Sequence, residues 1–187
     1  MKILRFQKNK IYLEDNEVID INRDIKAKYR IKTGGEISPE DYKSIIYESA
    51  LSKSYFLLSM RDYTSRELLQ KLKMKYKRKT VIETILYNVV EKLSELGYID
   101  DYSYTESYID RKKNLGRKRI EYELHIKGID STIINEVYAN AEKINEKEEI
   151  EKMLYKVKNK DENRQIAYFI RRGFKLQDIL EVIKGLK

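Results

Sequence analysis

The chain has 187 residues, 41% hydrophobic and 37% charged, with the charges interspersed at helical spacing; this supports a packed core and excludes a disordered chain. It has no Cys and one His, His125, which excludes a disulfide framework, a thiolate metal site and a nitrogen-rich metal cluster. Lys and Arg number 39 against 31 Asp and Glu, a net charge of +8, and this points to a polyanion or an acidic protein surface as partner.

The N-terminal segment, Met1 to Lys8, lacks the apolar core of a signal peptide. No apolar run is long enough to span a bilayer, so a cytoplasmic location without membrane contact is expected. Residues 3 to 21 carry short runs of alternating character, Ile3 to Phe6, Ile11 to Leu13 and Val18 to Ile21, separated by Asn9-Lys10 and Asp15-Asn16. This predicts a small antiparallel hairpin or three-stranded meander. So small a sheet needs helices to cover it, and Asn22 to Tyr29 reads as a short helix that docks it. Lys32 to Gly35 reads as a linker.

Ser38-Pro39-Glu40-Asp41 is a helix start, with a capping Ser, a Pro where its missing N–H costs nothing and acids at the positive end of the dipole. The stripe Tyr42, Ile45, Ile46, Ser49, Leu51, Tyr55, Leu58 carries that helix for about five turns. Capping boxes at Thr64-x-x-Glu67 and Thr80-x-x-Glu83 start two more. The first buries Leu68, Leu69 and Leu72; the second buries Ile82, Ile85, Leu86, Val89, Val90, Leu93 and Leu96 and closes at Gly97. Asp100-Asp101 opens the next helix, with the second acid as cap and Tyr104, Tyr108 and Ile109 along it. Gly116 breaks it before Arg117 begins another. Ile120 and Leu124 face inward, Gly128 ends that turn, and Asp130-Ser131 caps a helix with Ile133, Ile134, Val137 and Ala141.

The pattern is then recognisable as a repeat. A shift of roughly fifty residues, within the range of stacked helical units, lays Leu68 on Ile120, Leu72 on Leu124 and Arg66 on Lys118. In a weaker third copy Phe169 and Gly173 stand where Leu124 and Gly128 stand in the second. Each unit exposes an apolar face for its neighbour to cover. The expected fold is mainly α, an elongated curved array of tandem three-helix repeats behind a small N-terminal antiparallel β-hairpin or meander. The expected divisions are 1–37 for the strands and short helix, then 38–98, 99–141 and 142–187 for the three repeats, with a monomer as the expected state.

The positive charge is local. From Arg66 to Lys79 there are seven basic residues against the one acid Glu67, and from Arg111 to Arg119 six against none, whereas Glu142 to Glu151 is mildly acidic. The bland reading of such runs is a solvated helix face. Asp100-Asp101 reads as helix capping rather than as a metal or acid–base pair, because no His or third carboxylate accompanies it. His125 reads as a passive helix residue. Sixteen tyrosines raise the question of base stacking, but Tyr55, Tyr104, Tyr108 and Tyr168 fall on apolar stripes and read as core. Tyr63, Tyr76 and Tyr102 are less constrained. Neither a Gly-rich phosphate loop nor a nucleophile elbow is present, so no enzyme and no cofactor are expected.

Three stretches carry a family resemblance: Leu58-x-x-Arg61-x-x-Thr64-Ser65-Arg66-Glu67-Leu68-x-x-Lys71-Leu72; Leu93-x-x-Leu96-Gly97-Tyr98-Ile99-Asp100-Asp101-x-x-Tyr104; and Gly116-Arg117-Lys118-Arg119-Ile120-x-x-Glu123-Leu124-x-x-Lys127-Gly128-Ile129. Together with Ile170-Arg171-Arg172-Gly173-Phe174 they resemble the RecX family of bacterial recombination regulators, from about Ser44 to the C-terminus. Tyr76 stands where the first repeat of that family often has Gly, and Arg117 where the second often has Pro; both departures bear on local turn geometry. The resemblance implies three-helix repeats that lie along the groove of the RecA filament on single-stranded DNA and restrain its ATPase and strand exchange, in DNA repair and homologous recombination. A positively charged ribbon making several modest contacts suits such a groove. The contacting basic face expected on this basis is Arg61, Arg66, Lys71, Lys73, Lys75, Arg111, Lys112, Lys113, Arg117, Lys118, Arg119, Lys127, Arg171 and Arg172. The expected partners are the RecA filament and single-stranded DNA, with double-stranded DNA as a further candidate. The alternatives are a stand-alone basic helical DNA-binding module that needs no RecA, and a scaffolding repeat protein without nucleic acid.

Overall fold

The computed structural model describes residues 1–76, 80–140 and 145–185, the side chains of residues 80 and 81 excepted. Lys77, Arg78 and Lys79 of the first basic run, the capping side chain of Thr80, and Ala141 lie outside the described residues. The chain divides into two compact units, Met1–Ile99 and Asp100–Lys187.

In the first unit, β1 (Ile3–Gln7), β2 (Lys10–Leu13) and β3 (Val18–Asp20) form an antiparallel meander in the order β1-β2-β3, with Phe6 opposite Ile11 and Ile11 opposite Ile19. The period-two pattern sets which face is inside: Ile3, Ile11, Leu13 and Ile19 are buried, while Leu4 and Val18 are exposed. The short helix α1 (Arg23–Lys28) follows, its first turn capped by the Asn22 side chain, which accepts from the Ile25 N–H at 2.8 Å.

Helix α2 (Pro39–Leu58) runs unbroken for 20 residues from its Ser38 cap. Its buried face differs from the expected stripe. Tyr42, Ile46, Ala50 and Ser54, with Ile45 and Ser49, are buried, whereas Leu51 and Leu58 are only partly covered and Tyr55 is exposed, edge-on to Tyr98 at 5.0 Å. The i, i+4 row was interrupted in the hydrophobic pattern by small residues, yet those small residues are what admits the neighbouring helix. Ser54 enters the core because its hydroxyl donates to the Ala50 carbonyl at 2.8 Å.

Helix α3 (Ser65–Lys75) starts with the expected capping box between Thr64 and Glu67, and α4 (Thr80–Glu95) follows. Sheet, α1 and α2 to α4 share one core. Leu96, expected inside, is 51% exposed, and Ile99 is buried in its stead. Gly97 at φ +73° reverses the chain, and the Tyr98 N–H returns to the Leu93 carbonyl at 2.9 Å. That closure leaves Leu96 beyond the helix end and brings Ile99 back onto the core.

Two less constrained tyrosines are also buried. Tyr63 and Tyr76 are 9% and 8% exposed. Tyr76 closes α3 at φ −102°, needing none of the left-handed freedom a glycine would bring there, and its hydroxyl lies 2.8 Å from that of Ser49. Burial pushes its phenol up to about 12.

The second unit holds α5 (Asp101–Arg111), α6 (Arg117–Ile126), α7 (Ser131–Asn140), α8 (Glu146–Leu154) with a 3-10 turn at Tyr155–Val157, α9 (Glu162–Arg171) and α10 (Leu176–Gly185). It contains two hydrophobic clusters. One gathers Ile109, Ile120, Leu124, Ile129, Ile134 and Val137 from α5 to α7; the other is built on Ile150, Met153, Phe169, Phe174, Ile179 and Ile183 from α8 to α10.

The two clusters meet at a backbone joint. The Gly116 N–H donates to the Arg172 carbonyl at 2.9 Å, and Arg172 Nη1 donates to the Asn114 carbonyl at 3.3 Å. A Cβ on Gly116 would overlap the backbone of Gly173 and Phe174, and one on Gly173, at φ +91°, would overlap Arg119. Gly116 has no side chain with which to cap α6, so Glu146 of α8 accepts from the Arg117 N–H instead. Burial raises the Glu146 carboxyl above the usual range, opposed by that hydrogen bond.

The cap of α5 is Asp100, not Asp101. Asp100 accepts from the backbone N–H groups of Tyr102 and Ser103 at 2.9 and 3.0 Å and from the Ser103 hydroxyl at 2.7 Å. These bonds, the Ser103 N–H foremost, hold its carboxyl below the ordinary range. A depressed acid contributes stability that is fully present above its unfolded value near 4 and is lost as pH falls through the lower folded one. Asp100→Ala should therefore lower stability by about 1 kcal/mol at neutral pH. The difference in melting temperature from wild type should shrink on acidification below about pH 4; a difference that holds constant down to pH 2 would mean that the charged cap contributes nothing.

Candidate nucleic-acid interface

A helix face full of cations attracts a polyanion only to the extent that the cations are not already answered by neighbouring acids. Thirteen of the fourteen expected cations divide on this point; the other, Lys127, lies against the rings of Tyr104 and Tyr108. Six have acidic partners: Arg61 with Glu67 at 3.2 Å, Lys73 with Glu83 at 3.6 Å, Lys75 with Asp20, Lys113 with Asp110, Arg117 with Glu121 at 2.6 Å and Arg119 with Glu123 at 2.8 Å. Arg66 and Lys71 on α3, Arg111 and Lys112 at the end of α5, Lys118 on α6 and Arg171 and Arg172 at the end of α9 have no acidic partner among the described residues. The run from Arg111 to Arg119 contains no acid, yet three of its cations are paired, because helical spacing brings Asp110, Glu121 and Glu123 onto the same surface.

Arg117 is engaged by several neighbours at once. Its guanidinium lies over the Tyr138 ring at 4.3 Å and donates to Asn135 Oδ1 at 2.8 Å, beside its bond to Glu121. Arg119 packs its backbone against Gly173. Both serve the joint between the clusters as much as any surface. Lys118 between them points outward and is exposed, as expected for adjacent helix positions about 100° apart. Arg66, which the repeat superimposes on Lys118, is likewise exposed.

Aromatic rings lie among these cations. Tyr104 and Tyr108 of α5 are half-buried, with centroids 6.1 Å apart and planes 17° from parallel. Lys127 Nζ lies 5.7 Å from each ring centre and Lys112 Nζ 5.9 Å from that of Tyr108. The Tyr108 hydroxyl donates to Glu123 at 2.7 Å, which draws that carboxyl below its usual range. The sequence places these tyrosines in the core, and both do pack against the α5–α7 cluster while staying partly open. The signal for a surface role was present in the spacing Tyr104, Tyr108, Lys112, one face of one helix. Tyr122, 58% exposed on α6, with the Arg119 guanidinium 5.7 Å from its ring, was missed altogether.

His125 is exposed, with Nδ1 3.1 Å from the Ile129 carbonyl. Among the described residues no group of three His, Cys, Asp or Glu is placed to hold a metal ion, and no helix is long and apolar enough to cross a membrane.

Helices that carry exposed cations and aromatic rings suit the binding of a partner rather than the conversion of a substrate. Comparison with known proteins makes the class specific. Residues 100–137 match the sequence model of the second three-helix domain of RecX. The regulatory protein RecX of Clostridium tetani is 27% identical over 94% of this chain and 87% of its own length, and that of Clostridium beijerinckii 27% over 93% and 87%. That of Chlorobium phaeobacteroides is 36% identical over 45% of this chain and 55% of its own. A crystal structure of a regulatory protein RecX superimposes with a TM-score of 0.66 over 98% of both chains at 20% identity, which shows the shared fold. RecX from Lactobacillus salivarius gives 0.64 over 75% of this chain and 96% of its own. The chain is thus similar to regulatory proteins RecX over nearly its whole length and shares their fold.

Proposed function

We propose that this protein regulates a RecA-type recombinase by binding along the groove of its filament on single-stranded DNA, so that ATP hydrolysis, filament growth and strand exchange are restrained. In this reading it acts in the cytoplasm as a monomer, with three repeats at 38–98, 99–141 and 142–187 behind the N-terminal strands and short helix of 1–37. The observation that carries the reading is the recurrence of unanswered cations: Arg66 and Lys71 on α3, Lys118 on α6, and Arg171 and Arg172 at the end of α9, the middle helices of successive repeats. A surface repeated along a chain matches a partner repeated along a filament, and several weak contacts in register sum to a strong one.

The test is single-strand-dependent ATP hydrolysis by RecA, with the protein added before and after filament assembly, beside its binding to bare single- and double-stranded DNA at two salt concentrations. Inhibition at concentrations too low to coat bare DNA is the expected result, and the order of addition separates an assembly block from a groove block. No effect on RecA together with salt-sensitive DNA binding would instead make the protein a stand-alone DNA-binding module, since the same cations suit duplex phosphates.

A further inference from the structure

We propose that the Tyr104–Tyr108 pair, bracketed by Lys112 and Lys127, is a stacking site for unpaired bases of a single-stranded nucleic acid. The inference rests on the reading above that the protein works on single strands, and it assigns that contact to a defined place in the second unit.

Four observations carry it. Both residues remain partly open to solvent, and their rings form a stacked pair with centroids 6.1 Å apart and planes 17° from parallel, an arrangement that a base can extend by stacking on the outer face. The pair is held in place before any ligand arrives: the Tyr108 hydroxyl is tied to Glu123 at 2.7 Å, and the other oxygen of Glu123 is tied to Arg119 Nε at 2.8 Å. An ordering cost is therefore met within the fold and not on binding. Positive charge flanks the rings, with Lys127 Nζ 5.7 Å from both centres, Lys112 Nζ 5.9 Å from Tyr108, and Arg111 next in sequence at the end of α5. Lys112 forms no ion pair among the described residues, although it acts at longer range on Glu123, so a phosphate could reach it without breaking a direct contact to a carboxylate.

Aromatic faces beside cations are the common denominator of single-strand binding without sequence preference, because every base has a π-face and every nucleotide a phosphate. A duplex, whose bases are already stacked, gains only the electrostatic part. Tyrosines serving only to cover the Ile109 and Leu124 core would make no such distinction between strand states.

Fluorescence anisotropy with oligo-dT, oligo-rU and a DNA duplex tests this on the full-length protein. Tyr104→Leu with Tyr108→Leu keeps apolar bulk over the core and removes both rings. It should weaken oligo-dT binding by about ten-fold or more, while duplex binding changes by less than about two-fold. Tyr108→Phe keeps the ring and should stay within about three-fold of wild type. Lys112→Gln should flatten the salt dependence on single strands by about 0.7 in log–log slope. Tighter binding to oligo-dT than to oligo-rU assigns the site to DNA and the reverse to RNA; either is a stacking site. A folded double-Leu variant that binds oligo-dT like wild type, or loses single strands and duplex equally, overturns the proposal. If the double-Leu variant misfolds, Tyr108→Phe and Lys112→Gln decide: wild-type salt slope in the Lys112 variant overturns it. RecA ATPase inhibition measured alongside keeps the two readings apart, because strand binding by the rings can be lost or retained whether or not the wild-type protein acts on RecA.

Discussion

Gly116→Ala should destabilise the second unit by about 3 kcal/mol, the upper part of the range for forced overpacking. Melting of that unit should fall by on the order of 10–20 °C. The new methyl group has nowhere to go. It would overlap the Gly173 and Phe174 backbone, which no side-chain rotation relieves, so the N-terminus of α6 must lift away from the turn after α9. Lifting breaks the Gly116-to-Arg172 hydrogen bond, and it draws the Arg117 N–H away from Glu146, leaving the start of α6 uncapped. Gly97→Ala is the control. That glycine is at φ +73° with open space around it, so its substitution carries only the strain of the left-handed conformation, about 1 kcal/mol. Calorimetry of the two variants separates these causes. Equal melting temperatures would mean that the joint between the two clusters is not close-packed.

Neutralising the unanswered cations should weaken binding far more than neutralising paired ones. Arg66→Gln with Lys118→Gln removes two exposed charges that have no acidic partner among the described residues. If each touches a phosphate, the log–log salt slope on single strands falls by about 0.7 per residue, and affinity at low salt by about ten-fold or more for the pair. Lys75→Gln with Lys113→Gln changes net charge equally but removes cations already held by Asp20 and Asp110, and should move binding by about three-fold or less. Filament ATPase inhibition should follow the same order. Identical losses from both pairs would show that the overall field of the +8 chain, and not the particular positions, sets affinity.

The helix starts were readable from sequence because a cap is local chemistry: Ser38, Thr64 and Asn22 each bond an N–H three residues away. The turns at Gly97, Gly128 and Gly173 were readable for the same reason, since each takes a positive φ that side chains resist. The resemblance to RecX proteins followed from these signals at constant spacing. Misreadings arose where a residue's fate depends on distant chain. Ala50 and Ser54 are buried and Tyr55 exposed because α4 needs small residues to approach α2. Tyr63 and Tyr76 are interior although nothing beside them in sequence requires it. The candidate site divides along the same line. Arg117–Glu121 and Arg119–Glu123 are pairs at i, i+4 that a helical wheel contains, whereas Lys75 reaches Asp20 across 55 residues. The sequence by itself determined where helices begin and end and how much positive charge they carry, because caps, glycines and composition act within a turn of chain. Only the tertiary structure decided which cations remain unanswered, which tyrosines stay at the surface and why Gly116 has no substitute, because those depend on atoms brought together by packing.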